Sequence, residues 1–204
     1  VSLWVRDAEQ ALRINSEGAN AIYHPELKLS DNITADDDLA SVVMDAHFIL
    51  VATPSMIFEE VISRLERLIN SSMTVISCTK GIKPKPFRTM TDIITQHLGH
   101  IIGDKVGVLS GPNLAKEIAE EKLAGTVIAS DNEGIVIEVK SMLSSNTFKV
   151  FSSQDMQGVE LAGALKNIYA ICCGIAHAKF VGENALGFIV TRSMAEMSRF
   201  AVAK

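Results

Sequence analysis

Short apolar runs alternate with amphipathic segments along the first three quarters of the chain. Runs rich in Val, Ile and Leu predict buried β-strands, and segments with apolar residues every three to four positions predict helices. The predicted strands are VSLWV, NITA, HFILVAT, MTVISCT, VGVLS, GTVIAS and FKVFSS. Amphipathic segments lie between most of these runs, so the pattern indicates a mainly parallel sheet covered by helices on both faces.

Capping residues predict where several helices begin and end. Asp7 is expected to cap the first helix and Gly18 to end it. Pro54 is expected to start the helix that follows HFILVAT, and Gly99 to be the C-cap of the helix that begins near residue 87. Residues 20–29, NAIYHPELKL, read as a loop.

From about residue 155 onward the pattern is helical, without a clear strand. We therefore predict a dinucleotide-binding domain over residues 1–154 and the start of a helical substrate-binding domain over 155–204. The predicted fold class is α/β, a Rossmann-like mainly parallel sheet followed by an all-helical domain. No GxGxxG motif is present. If VSLWV is the second strand of a Rossmann half, the first strand and the glycine loop precede Val1, and we expect the chain to be an internal piece of a longer protein.

Composition excludes several classes of function. The 204 residues are 48% hydrophobic and carry a net charge of −5, with 24 acidic and 19 basic residues and no basic block. This balance disfavours general binding of nucleic acid. We expect neither a membrane span nor a signal peptide, because no apolar run is long enough. The three cysteines are expected to be reduced and buried, and the five histidines, read as surface or loop residues, show no zinc spacing, so no metal site is predicted.

The segment GVELAGALKNIYAI carries a lysine inside an apolar helix. Its expected buried stripe is Leu161, Leu165, Ile168 and Cys172. Lys166 lies on the neighbouring stripe between Gly163 and Ala170, whose small side chains are expected to leave room for a ligand beside the amine. The alternative is a lysine whose stem packs while its amine reaches water.

Polar residues, Gly and Pro follow the predicted strands, at the edge of a parallel sheet where ligands bind. The turns are Arg6-Asp7, Thr53-Pro54-Ser55, Thr79-Lys80-Gly81 and Ser110-Gly111-Pro112-Asn113. Helix entry explains any one of them equally well. Together they predict that Lys80 and Lys166 meet across a cleft that suits a phosphorylated or carbonyl substrate. Arg6 favours a 2′-phosphate on the cofactor, with an exposed arginine beside the helix cap as the alternative.

The segments LWVRD, ILVATPS, CTKGI, VLSGPNLAKEIA, GVELAGALKNIYAI and TRSMAEMSR together resemble the bacterial NAD(P)-dependent glycerol-3-phosphate dehydrogenase family. They occur in that family's order and spacing over essentially all 204 residues, and SGPNLAKEIA and ELAGALKN are the specific parts. The resemblance implies a cytoplasmic oxidoreductase of phospholipid biosynthesis. It reduces dihydroxyacetone phosphate to sn-glycerol 3-phosphate with NADPH or NADH.

The resemblance also implies the role of individual residues. Lys166 matches the catalytic lysine, which donates the proton to the carbonyl oxygen during hydride transfer. Substrate-binding positions are matched by Lys80, Gly111, Asn113, Lys166 and Asn167, and cofactor-binding positions by Arg6, Lys80 and Ala115. The family usually has Ser or Thr where this chain has Asn113. Its glycine loop and a later helical segment that holds phosphates have no match here, so residues 1–204 alone are expected to bind cofactor poorly and to turn over negligibly.

Two other readings stay open. One is a different two-domain dehydrogenase, of the hydroxy-acid or 6-phosphogluconate type, which also uses a lysine-asparagine pair on the first helix of its second domain. The other is a nucleotide-binding module without activity, suggested by the absence of the glycine motif. The expected partner is a small-molecule substrate, and the apolar helical domain allows a homodimer.

Overall fold

The computed structural model describes residues 1–202, which form eleven strands and eight helices. The strands are β1 (Ser2–Trp4), β2 (Ala19–Asn20), β3 (His24–Lys28), β4 (Thr34–Asp36), β5 (Phe48–Val51), β6 (Thr74–Ser77), β7 (Lys83–Pro84), β8 (Phe87–Arg88), β9 (Val106–Ser110), β10 (Ala124–Ala129) and β11 (Phe148–Ser153). The helices are α1 (Ala8–Glu17), α2 (Leu39–Val43), α3 (Phe58–Leu65), α4 (Met90–Ile102), α5 (Ala115–Ala119), α6 (Glu133–Leu143), α7 (Met156–Ala178) and α8 (Glu183–Val202).

The central sheet has five strands in the order β11-β10-β9-β6-β5. Strands β5, β6 and β9 are parallel, and β10 and β11 are parallel, which confirms the predicted mainly parallel sheet. Strands β9 and β10 are antiparallel. For β10 to be parallel to β9, the connection would have to carry the chain back along the full length of a strand, roughly 16 Å for five residues. The helix in this connection is α5, whose five residues rise only about 7.5 Å. The chain therefore does not return to the start of the sheet before β10 begins.

Strands β1 and β4 form a separate parallel pair. The pair β4-β1 corresponds to strands 3-2 of the Rossmann order, and the three adjacent strands β5-β6-β9 correspond to strands 4-5-6. Strand 1 of that order has no counterpart within residues 1–202. A groove of about 740 Å³ separates β1 from β5, and residues of both strands line it, among them Leu3, Trp4, Phe48 and Leu50.

The core lies on both faces of the central sheet, as the alternating pattern predicted. On one face Phe58, Ile62 and Leu98 of α3 and α4 pack in a cluster with strands β5 and β6. On the other face Ile128 of β10 and Val139 of α6 belong to a second cluster. Burial of these branched and aromatic side chains is the main source of stability of the sheet, at about 25 cal/mol per Å² of apolar surface.

The first helix has the predicted ends. The Asp7 side chain accepts hydrogen bonds from the amides of Glu9 and Gln10, and Gly18 ends the helix with a φ of 62°. That left-handed conformation favours glycine. The predicted loop over residues 20–29 is wrong in part, because β2 and β3 form a short antiparallel hairpin there.

Two other helix ends differ from the prediction. Helix α3 begins at Phe58 and not at Pro54. Helix α4 continues through Gly99 and ends at Ile102, with Gly103, whose φ is 62°, as its C-cap. Burial of Ile102 explains the extra turn of α4, because ending the helix at Gly99 would leave that side chain outside the core.

Helices α7 and α8 pack against each other at the end of the chain. Leu161 is buried, but Ile168 is 56% exposed and Cys172 is exposed, so the predicted stripe is buried only near the start of α7. Contrary to the expectation that no segment is long enough, α7 has the length and apolar composition of a membrane span, with a mean hydropathy of 1.4. Core helices of soluble proteins share these two properties, so they are weak indications of a membrane.

Candidate functional site

The structure brings the two notable lysines together, as the sequence predicted. Lys80 follows β6 and Lys166 lies on α7, and the two amines are near enough for Lys166 to affect the pKa of Lys80. The Lys166 Nζ donates a hydrogen bond to the carbonyl oxygen of Gly111, at 3.2 Å. Both lysines are half-buried. Burial, and secondarily the Lys166 amine, lower the pKa of Lys80 below its ordinary value. Two cations therefore share one small site.

The position of Lys80 is set by the ends of the neighbouring strands. Strands β6 and β9 are adjacent and parallel, so the turns that follow them lie at the same edge of the sheet. The Thr79 hydroxyl shares its one proton between the carbonyl oxygens of Val51, at 3.2 Å, and Thr53, at 2.8 Å. These bonds tie the turn after β6 to the end of β5. The Thr53 hydroxyl itself is buried and has no hydrogen-bond partner among the described residues.

Two glycines allow the turns to approach neighbouring backbone and side chains. A Cβ on Gly111 would lie 2.5 Å from the carbonyl oxygen of Gly125 and 2.8 Å from the Cα of Thr126. A Cβ on Gly81 would lie 2.5 Å from the Cβ of Ser55. Neither site accepts a side chain without movement of its surroundings, so glycine holds the two turns in place.

Gly163 has a different role from the one expected. A Cβ there would lie 2.6 Å from the Ser110 Oγ and 3.9 Å from the Lys80 Cγ. The space beside Gly163 is therefore filled by Ser110 and is not open to a ligand, which corrects the sequence-based expectation. Glycine at this position lets α7 approach the end of β9 closely enough for Lys166 to reach Gly111.

The remaining predicted site residues lie either in the cluster formed by Lys80, Lys166 and the turn that contains Gly111, or on the surface. The Asn113 Nδ2 donates to the Thr126 Oγ1 at 3.1 Å, while its Oδ1 is buried without a partner in the described chain. Arg6, Ala115 and Asn167 are exposed. Within residues 1–202 their side chains make none of the hydrogen bonds that connect the cluster. Arg6 lies at the end of β1, and Asp7 beside it is used as a helix cap.

A hairpin formed by β7 and β8 follows Lys80 and Gly81 in the chain and is held to α3 by one carboxylate. Glu59 accepts a hydrogen bond from Arg88 at 2.8 Å and contacts the Lys83 amine. The Lys83 contact, with a further contribution from Arg88, lowers the pKa of Glu59 to about 2. No local sequence pattern indicates this anchor, because its residues belong to segments that are distant in the chain.

The cysteines do not add a nucleophile to the site. All three are free. Cys78 is half-buried beside Lys80, and burial raises the pKa of its thiol to about 11, which keeps it protonated. The expectation of buried thiols is wrong for Cys172, which is exposed. Among the described residues no group of three or more His, Cys, Asp and Glu side chains could hold a metal ion. The expectation of surface or loop histidines is wrong for His24, which is half-buried on β3, and for His97, which is half-buried on α4.

Ser110 was missed as a site residue. It ends β9 and fills the space between that strand and Gly163. Its position in the SGPN turn marked it as one of several polar residues at strand ends, but no periodic signal indicates which helix residue packs on it. A small residue three positions before Lys166 was the available sign of a close contact.

The pKa of Lys80 is expected to rise toward its ordinary value when Lys166 is replaced by methionine, because one of the causes that lower it is the Lys166 amine. NMR titration of isotopically labelled lysine side chains measures this change. Lys149→Met, at an exposed site on β11, is the matched control and should leave the Lys80 titration unchanged. An unchanged Lys80 titration in folded Lys166→Met would show that the two amines do not interact.

Comparison with known proteins agrees with the architecture. Residues 1–136 match the family model described as NAD-dependent glycerol-3-phosphate dehydrogenase N-terminus. Residues 155–204 match the model described as the C-terminus of the same enzyme. The two matches leave only residues 137–154 uncovered, and the second begins one residue before α7.

Curated relatives carry the corresponding name. The glycerol-3-phosphate dehydrogenase [NAD(P)+] of Alcanivorax borkumensis is 46% identical over 202 residues, which cover 99% of this chain and 58% of the relative. The enzyme of the same name from Acinetobacter baumannii is 48% identical over 200 residues, covering 98% of this chain and 55% of the relative. The chain thus spans a little over half the length of these relatives.

Solved structures share the fold. Glycerol-3-phosphate dehydrogenase from Coxiella burnetii superposes with a TM-score of 0.89 at 32% identity, covering 100% of this chain and 61% of that structure. DsGPDH of Dunaliella salina gives a TM-score of 0.89 at 28% identity, covering 98% of this chain and 35% of that one. With both family models matched in chain order, the chain belongs to the NAD-dependent glycerol-3-phosphate dehydrogenase family.

Proposed function

We propose that this chain carries the catalytic lysine and part of the substrate site of an enzyme that reduces dihydroxyacetone phosphate to sn-glycerol 3-phosphate with NADPH or NADH. The supporting observation is the pair of amines, Lys80 and Lys166, beside the turn that contains Gly111. In this proposal residues 1–154 form the dinucleotide-binding domain and residues 155–204 begin the helical substrate domain.

The charge of the site supports a phosphorylated substrate. In the described part of the chain neither Lys80 nor Lys166 forms an ion pair with a carboxylate. Two adjacent cations without a counterion raise each other's electrostatic energy, and a bound anion relieves this repulsion. A phosphate ester of a small ketone supplies both the anion and a carbonyl oxygen that can approach an amine.

Lys166 is proposed as the general acid. Its amine is directed by the hydrogen bond to the Gly111 carbonyl, so it is held in one position before substrate binds. When the ketone carbon receives hydride, negative charge develops on its oxygen, and Lys166 donates a proton to that oxygen. Lys80 stays beside it as a second cation that stabilises the developing charge. In the reverse direction the Lys166 amine accepts the proton.

The residues present fit part of a nicotinamide dinucleotide. The buried Thr53 hydroxyl and the Lys80 amine lie at adjacent strand ends, and the exposed Arg6 at the end of β1 suits the adenosine phosphate. Ala115 opens α5 and is proposed as a further cofactor contact. When bound, the nicotinamide supplies the hydride. Within residues 1–202 no glycine-rich turn is available to cradle the pyrophosphate.

The two asparagines are proposed as substrate contacts. The Asn113 Oδ1 is buried and unpaired, and a substrate hydroxyl could donate to it. Asn167 directly follows Lys166 in α7 and is exposed. It can therefore contact substrate that enters from outside the sheet. An amide at position 113 replaces the hydroxyl that the family resemblance implies, so this contact offers a donor and an acceptor on separate atoms.

We propose that α7 packs within protein and does not cross a membrane, because Lys166 and Leu161 face the sheet domain. A cytoplasmic location follows from this proposal and from the activity. We also propose a homodimer. Ile168, Ile171 and Ile175 of α7 are more than half exposed, and contact with a second copy of the chain would remove this apolar surface from water.

A substrate panel tests the proposed activity. With protein expressed from its complete reading frame, NADPH or NADH oxidation is expected with dihydroxyacetone phosphate. Dihydroxyacetone, which lacks the phosphate, should react with a kcat/KM lower by several orders of magnitude, because the paired amines are then left without their anion. Preference for a 2-keto acid or for oxidation of 6-phosphogluconate would replace the proposed substrate, and cofactor binding without any turnover would favour the binding-module alternative.

A further inference from the structure

A buried carboxylate connects α7 to the sheet domain at a distance from the two amines. Glu160 is only 4% exposed. Its Oε1 accepts a hydrogen bond from the Thr91 backbone amide at 2.9 Å, and its Oε2 contacts the Thr91 hydroxyl. Thr91 lies in the first turn of α4 and is separated from Glu160 by 69 positions in the chain. The proton-transfer chemistry proposed above does not use this carboxylate.

The start of α4 explains why a carboxylate is favourable there. Thr89 and Asp92 form a capping box, in which the Asp92 amide donates to the Thr89 hydroxyl and the Thr89 amide donates to the Asp92 side chain. The Thr91 amide is another of the first four amides of the helix, which have no partner within it. Glu160 satisfies this amide and places negative charge at the positive end of the helix dipole.

Three successive contacts place one side of α7 on the sheet domain. Glu160 meets α4, Gly163 meets Ser110 at the end of β9, and Lys166 meets the carbonyl oxygen of Gly111. These positions are three residues apart, so they lie along one side of the helix. Glu160 and Lys166 are separated by about 9 Å along the helix axis. A rigid helix transmits a shift at one of these contacts to the other.

The contacts differ in how strictly they orient the helix. Gly163 on Ser110 is a close approach of small groups, and it limits the distance of α7 from β9 without preventing the helix from rotating. Glu160 forms two directional contacts with a single residue of α4, and hydrogen bonds weaken steeply as their angles depart from linearity. Burial also raises the pKa of this carboxyl group.

We propose that Glu160 is a positioning residue that fixes the rotation and the axial position of α7, and thereby the place of the Lys166 amine beside Lys80 and Gly111. The inference rests on the proposed function only where it concerns turnover. The position of the amine itself is a property of this chain and can be measured without substrate or cofactor.

The Lys80 titration reports this position directly. In Glu160→Ala the Lys166 amine should move away from Lys80, so the pKa of Lys80 should rise toward its ordinary value, as in Lys166→Met. Glu160→Gln keeps an oxygen for the Thr91 amide and should restore most of the wild-type titration. Glu138→Ala, which removes an exposed carboxylate on α6, is the matched control and should have no effect. NMR of labelled lysine side chains in the protein from its complete reading frame measures all four variants.

A second variant keeps the test decisive if Glu160→Ala does not fold. Thr91→Val removes the hydroxyl from the α4 side, keeps the backbone amide and nearly preserves the volume. It should change the Lys80 titration in the same direction as Glu160→Ala and by less. An unchanged Lys80 titration in folded Thr91→Val, together with an unchanged one in any folded Glu160→Ala, would overturn the proposal.

Kinetics separate positioning from stability. Glu160→Ala is expected to lower kcat by about 10²-fold, the cost of misplacing a catalytic group by roughly 1 Å, with KM for the nicotinamide cofactor unchanged. A folded variant with wild-type kcat would contradict the proposal. If the Lys80 titration shifts as expected but wild-type protein shows no turnover of dihydroxyacetone phosphate, the proposed function fails while the positioning role stands.

Discussion

Replacing Lys166 with methionine is expected to lower kcat for dihydroxyacetone phosphate by about 10³-fold, within the range that general acid-base catalysis contributes. Methionine keeps the unbranched apolar stem of lysine and removes the amine, so the packing of α7 on β9 should persist. The amine is the group that lies 3.2 Å from the Gly111 carbonyl oxygen and beside Lys80. Steady-state NADPH oxidation with the protein from its complete reading frame measures the loss.

Two comparisons show where the effect comes from. Lys149→Met removes an exposed lysine on β11 and should retain wild-type kcat. Lys80→Met should raise KM for the phosphorylated substrate and lower kcat less than Lys166→Met does, because Lys80 is proposed to bind and stabilise charge without transferring the proton. If Lys166→Met is folded and as active as wild type, the lysine is structural and the proton donor must be sought elsewhere, first at Lys80.

The strands of the central sheet show why much of the fold could be predicted from the sequence. The continuous apolar runs of β6 and of the first residues of β9 are buried on both faces, and this double burial is what removes the alternation typical of half-exposed strands. The direction of β10 could not be predicted, because VGVLS and GTVIAS read identically in either orientation. Direction depends on how far the connecting α5, which has only five residues, carries the chain.

The site was predictable where a residue's own neighbours in the chain carry the signal. Lys80 and Gly111 follow buried strands, and Lys166 interrupts an apolar helix, so each was visible in its own segment. Glu160 belongs to the same helix but its meaning depends on Thr91, 69 positions away. Gly163 was interpreted as open space because the residue that fills it, Ser110, is contributed by another element. Contacts between distant segments are what a local pattern does not contain.

Gly111→Ala is expected to be the most damaging substitution of a residue that has no functional side chain. The added Cβ would lie 2.5 Å from the Gly125 carbonyl oxygen and 2.8 Å from the Thr126 Cα, and both are backbone atoms that cannot rotate away. Overpacking of this kind costs about 1–3 kcal/mol of the free energy of unfolding. The turn must shift, and the carbonyl oxygen that orients Lys166 shifts with it, so kcat should fall by about 10²-fold.

Matched glycine variants separate the close contact from the loss of glycine itself. A Cβ at Gly99 of α4 would only reach ordinary contact with Thr95, at 3.4 Å, so Gly99→Ala should stabilise the protein by about 0.5–1 kcal/mol through helix propensity. Gly163→Ala should be intermediate, because its nearest atom is the Ser110 hydroxyl, which Ser110→Ala removes. Thermal unfolding and kcat of the four variants provide the comparison. Wild-type stability and kcat in Gly111→Ala would mean that the turn moves freely, and a freely moving carbonyl could not hold the Lys166 amine in place.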